Sequence, residues 1–141
     1  MKVCYESKVD WQQYLDYLYC SPAFHGRERH DFVILKTTKG FIFAQLMFIF
    51  TASVAERTFP ICLARPLDIP TTQPPAVDFD LRLHRLRAVG SPVSTEFFFV
   101  QSIVRGAPLI QDFKKSGDYF VMDVVDHTGD LFLRCDEIFG W

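Results

Sequence analysis

The chain has 141 residues, a formal net charge of −2 and an apolar share of 49%. This length suits a single domain with its own core, and the composition excludes wholesale disorder. The near-neutral charge argues against a protein that coats nucleic acid non-specifically, because such binding needs a large basic excess. The fifteen phenylalanines favour strands, since aromatic side chains suit pleated, half-buried surfaces.

The four cysteines, at positions 4, 20, 62 and 135, are widely spaced and include no Cys-x-x-Cys pair. Structural zinc sites usually draw their ligands from close pairs, so we predict neither a metal nor another cofactor. No secretory apolar segment precedes the predicted fold. We therefore expect reduced thiols in a nuclear or cytoplasmic protein.

The first predicted element is the only helix, over about residues 10–20. Its apolar side chains recur with the i, i+3, i+4, i+7 spacing of one helical face: Trp11, Tyr14, Leu15 and Leu18. Asp10 can cap the first turn, and Pro22 would end the helix.

The segment FIFAQLMFIF, residues 41–50, carries nine apolar side chains. A membrane-spanning helix needs about 20 apolar residues, so we predict no membrane contact. DFVILKTT lies just before it, across a turn at Lys39 and Gly40. This pattern predicts a β-hairpin whose second strand is buried on both faces.

Strands follow one another through the rest of the chain, from about residue 31 to residue 135. Pro60 indicates that the third strand, 57–66, lies at a sheet edge or contains a bulge, because proline has no backbone N–H to donate to a neighbouring strand. After a proline-rich loop at 66–80, the remaining predicted strands lie at 81–88, 95–106, 117–126 and 130–135, the last two forming a terminal hairpin. The fold class is therefore all-β: a single domain, 1–141, built as an antiparallel, partly closed barrel of about six or seven strands with one N-terminal helix.

Catalytic motifs are absent from the sequence: it contains no P-loop, no G-x-S-x-G and no G-x-G-x-x-G. The carboxylates near the C-terminus flank predicted turns, where aspartate is common for local reasons. His25, His30 and Asp31 could supply ligands of a metal-dependent hydrolase, but a solvated loop explains them as well. We therefore predict no catalytic residue and no enzyme.

Two groups of residues are candidates for binding. The basic segment 82–87 could contact phosphate through Arg82, His84, Arg85 and Arg87, or could simply be a charged edge strand. The second group could hold a methylated lysine of a protein tail by cation–π attraction, or could pack the helix onto the barrel. Its aromatic members are Trp11, Tyr17, Tyr119 and Phe132, and Asp118 or Asp123 would offset the ligand's charge.

Several segments resemble an uncharacterised domain of basidiomycete fungal proteins associated with DNA transposons: FHGRERHDFVIL, FAQLMFIFT, LARPLD, LHRLRA, EFFFVQSIVRGAPL and GDYFVMDVVD. The resemblance covers about residues 25–139 and implies no catalytic residue. The order of strands also resembles the bromo-adjacent homology (BAH) domain, an SH3-like chromatin module, with Ala44, Arg65-Pro66 and Glu96-Phe97 at its landmarks. This likeness implies binding to histones or other nuclear proteins.

These observations predict a non-catalytic interaction module that binds protein tails or chromatin within a transposon-associated nuclear protein. One alternative is a nucleic-acid-binding accessory domain that uses the basic segment. Another is homo-oligomerisation, because the apolar strand EFFFVQ would pair with a second copy if it lay at a sheet edge.

Overall fold

The computed structural model describes residues 1–90 and 94–140; residues 91–93 and 141 of the predicted domain lie outside this part. The elements are mostly strands, which confirms the β-rich prediction. The strands are β1 Lys2–Glu6, β2 Gln13–Tyr17, β3 Cys20–Phe24, β4 Arg27–His30, β5 Phe32–Thr37, β6 Gly40–Val54, β7 Arg57–Asp68, β8 Arg85–Ala88, β9 Glu96–Phe99, β10 Ile103–Gly106, β11 Leu109–Gln111 and β12 Asp118–Val121. The helices are α1 Ala76–Asp80 and α2 Asp130–Phe139.

One large antiparallel sheet organises the molecule. Its strand order is β10-β5-β6-β7-β8-β12-β11, and β9 pairs with a further stretch of β7. Two small antiparallel hairpins, β1-β2 and β3-β4, accompany it. The two ends of the order, β10 and β11, are neighbours in the chain, separated only by Ala107 and Pro108. No strand pairing among the described residues closes the sheet, so the barrel stays a prediction.

The β5–β6 hairpin forms as predicted, with Thr37 paired to Gly40 across the turn. Gly40 has a φ of 124°, a backbone conformation that side chains rarely allow. The strand is buried on both faces only in its first half. From Phe48 onwards it is partly exposed, because it extends beyond the elements that cover the sheet.

Two hydrophobic cores lie on opposite faces of this hairpin. Alternation along β5 sends Val33 and Leu35 to one core and Ile34 to the other. The first core also holds Leu18 and Cys62, and the second is covered by α2 through Leu131 and Cys135. The fold thus depends on a central hairpin that is apolar on both sides.

The predicted N-terminal helix is wrong, because residues 13–17 form strand β2, paired with β1. Trp11 has a φ of 59°, which a right-handed helix does not permit. The carboxylate of Asp10 accepts the Gln12 backbone N–H at 3.1 Å and the Tyr14 hydroxyl at 2.7 Å, so it holds a turn instead of capping a helix. Tyr5 and Tyr14 stack across the two strands, with 6.0 Å between ring centroids.

The predicted terminal hairpin is also wrong, because residues 130–139 form α2 and not a strand. The side chains buried near its start, Asp130, Leu131, Arg134 and Cys135, follow helical spacing. Asp126 accepts the Leu131 backbone N–H at 2.7 Å and so satisfies a free donor at the helix start. Gly140 ends the helix with a φ of 70°.

Several predicted bounds between these elements change. The segment predicted as a loop at 66–80 contains the end of β7 and the short helix α1, and the strand predicted at 81–88 begins only at Arg85. The segment 95–106 divides into β9, a 3-10 turn over Val100–Ser102 and β10. Pro60 lies at an edge, as predicted: it faces Thr51 of β6, and β9 pairs only with residues 61–64.

Candidate binding groove and buried ion pairs

Arg85 is the centre of a buried ion-pair cluster between β8, α1 and β12. Its guanidinium donates to Asp78 Oδ2 at 2.6 Å, to Asp112 Oδ2 at 2.7 Å and to Asp118 Oδ2 at 2.9 Å. Arg87 adds two bonds to Asp118, at 2.6 and 3.0 Å. Asp118 is fully buried, so these arginines compensate a carboxylate that could not be left alone in the interior.

This cluster has a direct consequence for the predicted nucleic-acid site. Arg85 is buried and Arg87 is already paired, so neither guanidinium is open to a phosphate without giving up its aspartate partner. His84 is buried as well, and of the four residues only Arg82 is exposed. The arrangement favours a structural role for the basic segment, and nucleic-acid binding stays a prediction.

A second buried cluster surrounds Arg105 and joins β10 to the start of α2. Its Nη1 atom lies 2.8 Å from Asp130 Oδ2 and 3.1 Å from Asp126 Oδ2, and the Tyr5 ring lies 4.3 Å from the guanidinium carbon. Arg134 also donates to Asp130, at 2.7 Å. The cluster fixes α2 to the sheet and to the N-terminal hairpin, since the Lys8 backbone N–H donates to Asp130 as well.

The Phe132 groove is an open cavity of about 760 Å³ between α1, residues 81–84, residues 121–124 and α2. Four exposed apolar side chains line it: Phe79, Leu81, Val124 and Phe132. Exposure reaches 71% at Phe79 and 83% at Val124. Arg82, Asp123 and Asp136 supply its charged groups. Its lining is therefore apolar with two carboxylates and one guanidinium.

His84 lines the inner side of this groove and is nearly inaccessible to solvent. Burial lowers the pKa of His84, and the negative charges of Asp123 and Asp136 oppose that shift without reversing it. The imidazole is therefore neutral at physiological pH. The negative charge of the two carboxylates is thus left to act on a ligand and is not neutralised by this histidine.

Of the six residues predicted to bind a protein tail, two come together. Phe132 and Asp123 both line the groove. Trp11 lies exposed in the β1–β2 turn, Tyr17 lies on β2 beneath the Lys2 ammonium, and Tyr119 packs on Phe32 with 5.1 Å between ring centroids. Asp118 is buried in the Arg85 cluster, where it has no access to a ligand. Among the residues that the structure describes, no ring contact joins any two of these four aromatic side chains.

The three residues considered as ligands of a metal-dependent hydrolase make other contacts in the structure. Asp31 pairs with Arg29 at 2.9 Å and accepts the Tyr19 backbone N–H at 2.8 Å. His25 lies in the β3–β4 turn against the Phe24 ring, and His30 lies 3.6 Å from the Cys20 sulfur. Within residues 1–90 and 94–140, no group of three or more histidine, cysteine, aspartate or glutamate side chains could hold a metal ion.

Sequence reasoning missed Phe79, Val124 and Asp136. Phe79 lies in the segment predicted as a loop, and the helical period of 130–139 would have placed Asp136 and Phe132 one turn apart. Val124 belongs to a 3-10 turn, Asp123–Val125, which carries no distinct sequence signal.

No helix in the described ranges has the length and apolarity needed to cross a membrane. Comparison of the chain with protein-family models, with curated proteins and with solved structures finds no match in any of the three.

Proposed function

We propose that this chain is a non-catalytic interaction module that binds a short segment of a partner protein in the Phe132 groove. The observation that carries the proposal is the pairing of exposed apolar side chains with carboxylates in one cavity. Soluble proteins rarely leave several large apolar side chains exposed together unless the surface binds something. A cavity of about 760 Å³ is large enough for two or three side chains of a peptide.

The charged side chains of the groove determine which kind of peptide segment fits it. Asp123 and Asp136 lie on the groove and are offset only in part by Arg82. A segment with apolar anchors and a lysine therefore fits better than an acidic one, because the anchors fill the cavity and the ammonium approaches the carboxylates. Phe79 and Phe132 add aromatic surface, which attracts a methylated as well as an unmodified ammonium.

The resemblances described above suggest where such a segment would come from. Histone tails are rich in lysine, and a chromatin source agrees with a transposon-associated nuclear protein. We therefore take histone-tail peptides as the first ligands to test, with a DNA duplex as the probe for the nucleic-acid alternative.

The test is an amide NMR titration of the isotopically labelled chain with unmodified and lysine-methylated tail peptides. We expect shifts at α1, at residues 123–125 and along α2. A Phe132→Ser variant should weaken binding by about tenfold or more, because an aromatic anchor often carries more than 1 kcal/mol of an interface. Asp123→Asn should weaken it less and reduce its salt dependence.

Phe113→Ser is the matched control, because Phe113 is exposed in the turn between β11 and β12 and does not line the groove. It should bind like the wild type. Peptide shifts that avoid the groove, or equal affinities for Phe132→Ser and Phe113→Ser, would refute the site. Shifts along 82–87 with DNA, with an affinity that falls steeply with salt, would favour the alternative.

We further infer that the large sheet is a partly closed barrel of the SH3-like kind. The support is the bend at Ala107 and Pro108, which joins the two ends of the strand order. The Ala107 N–H donates to the Phe32 carbonyl at 2.8 Å, and the Met122 N–H donates to the Pro108 carbonyl at 2.8 Å. NOE contacts from this bend to both Phe32 and Met122 are expected in solution; contacts to only one of them would leave the sheet open.

A further inference from the structure

One face of β6 and β7 is covered at one end and bare at the other. Phe43 and Leu67 pair across these strands and pack under α2 in the second core. Further along the same face, two cross-strand rows continue beyond the helix: Phe48, Leu63 and Phe97 in one, and Phe50, Ile61 and Phe99 in the next. Paired residues of antiparallel strands point to the same side, so these rows form one surface.

We call this surface the phenylalanine face, and Ala52 and Phe59 extend it by a third row. Its rings contact one another, with centroids 5.8 Å apart for Phe48 and Phe50 and 6.0 Å apart for Phe50 and Phe97. Phe98, in contrast, points to the opposite side and packs against the first core. The strand EFFF therefore uses one ring for the core and presents two to the surface.

The exposed area is large for a monomer. Phe48, Phe97 and Phe99 are 60%, 67% and 56% exposed. At about 200 Å² for a fully exposed phenylalanine, these three rings alone present roughly 370 Å². The largest apolar patch of a typical monomer is about 300–600 Å² in total, and the half-buried Phe50, Phe59, Ile61 and Leu63 add to these three rings.

We propose that the phenylalanine face is a dimer interface and that its occupant is a second copy of this chain. The three rows contain no ionisable side chain, and Arg65 and Arg57 lie on the same face only at its two ends. The rows therefore match an equally apolar partner surface and not a lysine-rich tail. A second copy presents such a surface, and a two-fold axis lets the face cover itself. Counting both copies, the three most exposed rings contribute roughly 740 Å², and the flanking rows bring the total to about the 1,000 Å² of a specific interface.

Strand β9 borders the phenylalanine face. It pairs with β7 along one edge, and no strand in residues 1–90 or 94–140 pairs with its other edge. Antiparallel pairing of two such edges would continue the sheet and leave the two faces side by side, so it is a different contact from the face-to-face dimer. Self-association through this strand was predicted from its sequence; the exposed rings favour the face over the edge as the surface of contact.

The experiment is sedimentation velocity of the chain from about 1 to about 200 µM, together with its melting temperature over the same range. We expect the mass to rise from 16.4 kDa towards twice that value, and the melting temperature to rise with concentration. Phe97→Lys should remain monomeric throughout, because it would bury an ammonium at the centre of the interface. Phe113→Lys, an equally drastic change at a phenylalanine that is 86% exposed elsewhere, should dimerise like the wild type.

Circular dichroism establishes that each variant folds, and Phe99→Ser replaces Phe97→Lys if the lysine disturbs the sheet. A wild-type chain that stays monomeric at the highest concentration overturns the proposal, as does a folded Phe97→Lys chain that dimerises normally. Peptide binding in the Phe132 groove is measured on the same variants. It should survive Phe97→Lys, so a failure of the dimer is distinguishable from a failure of the groove.

Discussion

Asp118 holds two arginines of β8 at once, so its protonation affects the stability of the whole sheet. The hydrogen bond from Arg87 contributes most to lowering the pKa of Asp118; burial opposes it, and the bond from Arg85 adds to it. The folded pKa therefore lies below the unfolded value of 3.8. A carboxylate of this kind stabilises the fold above the unfolded pKa, and that stability is lost as pH falls through the folded pKa.

We expect Asp118→Asn to lower the free energy of unfolding by about 2–4 kcal/mol near pH 6, because it leaves two arginines without their shared carboxylate. Below pH 4, the free energy of the variant should fall less steeply than that of the wild type. Urea titrations between about pH 6 and pH 2, at one fixed protein concentration, measure both effects. Asp80→Asn is the control, since Asp80 is exposed; identical pH slopes for Asp118→Asn and the wild type would contradict the assignment.

At the scale of elements, the β6–β7 hairpin carries an unfavourable turn. Ala55 and Glu56 join the strands with φ angles of 48° and 64°. A two-residue turn with positive φ at both positions is a type I′ geometry, which strongly prefers Asn-Gly because other side chains are strained there. The turn is formed in spite of its sequence, because the long strands on either side pair over eleven positions.

Glu56→Gly should therefore stabilise the protein, by about 1 kcal/mol, and Ala55→Asn combined with it should add to the gain. The gain would appear as a higher urea midpoint with an unchanged slope. Gly40 supplies the converse control: it has a φ of 124°, so Gly40→Ala should destabilise the neighbouring hairpin. A midpoint that falls in Glu56→Gly would mean that the turn relaxes to another geometry in solution.

The elements also explain which predictions succeeded. The β5–β6 hairpin could be predicted because its apolar run, its length and its turn all indicate the same structure. Residues 10–20 were wrongly predicted because Tyr14 and Leu18 satisfy a helical period and also lie inward on or beside a strand. The pairing of β2 with β1, which includes the contact of Tyr14 with Tyr5, decides between the two, and it joins residues that no local pattern relates.

The candidate site was predictable only in part, for the same reason. Phe132 and Asp123 were identified individually as an exposed aromatic residue and a nearby carboxylate. Their shared groove also requires α1, which a segment with four prolines did not predict. Asp118 was predicted to contact a ligand because its position beside a predicted turn gives no sign that its side chain is buried. Its two arginine partners are more than thirty positions away.

At the scale of the whole molecule, the two cores have one strand pair in common and so should unfold together. The hairpin β5–β6 contributes Leu35 and Ala44 to the first core and Ile34 and Phe43 to the second. Each core contains one fully buried cysteine, Cys62 in the first and Cys135 in the second. Loss of the central hairpin would expose both thiols in one step.

We therefore expect Cys62 and Cys135 to become reactive to an alkylating reagent over the same range of urea. Burial raises the pKa of both thiols, that of Cys135 to about 12, so neither is a reactive thiolate in the folded chain. Cys4 is exposed and should react at once, which provides the internal control. Pulsed alkylation followed by peptide mass spectrometry measures each site separately. Reaction of Cys135 at lower urea than Cys62 would instead mean that α2 detaches from the sheet first, and that the Phe132 groove opens without loss of the first core.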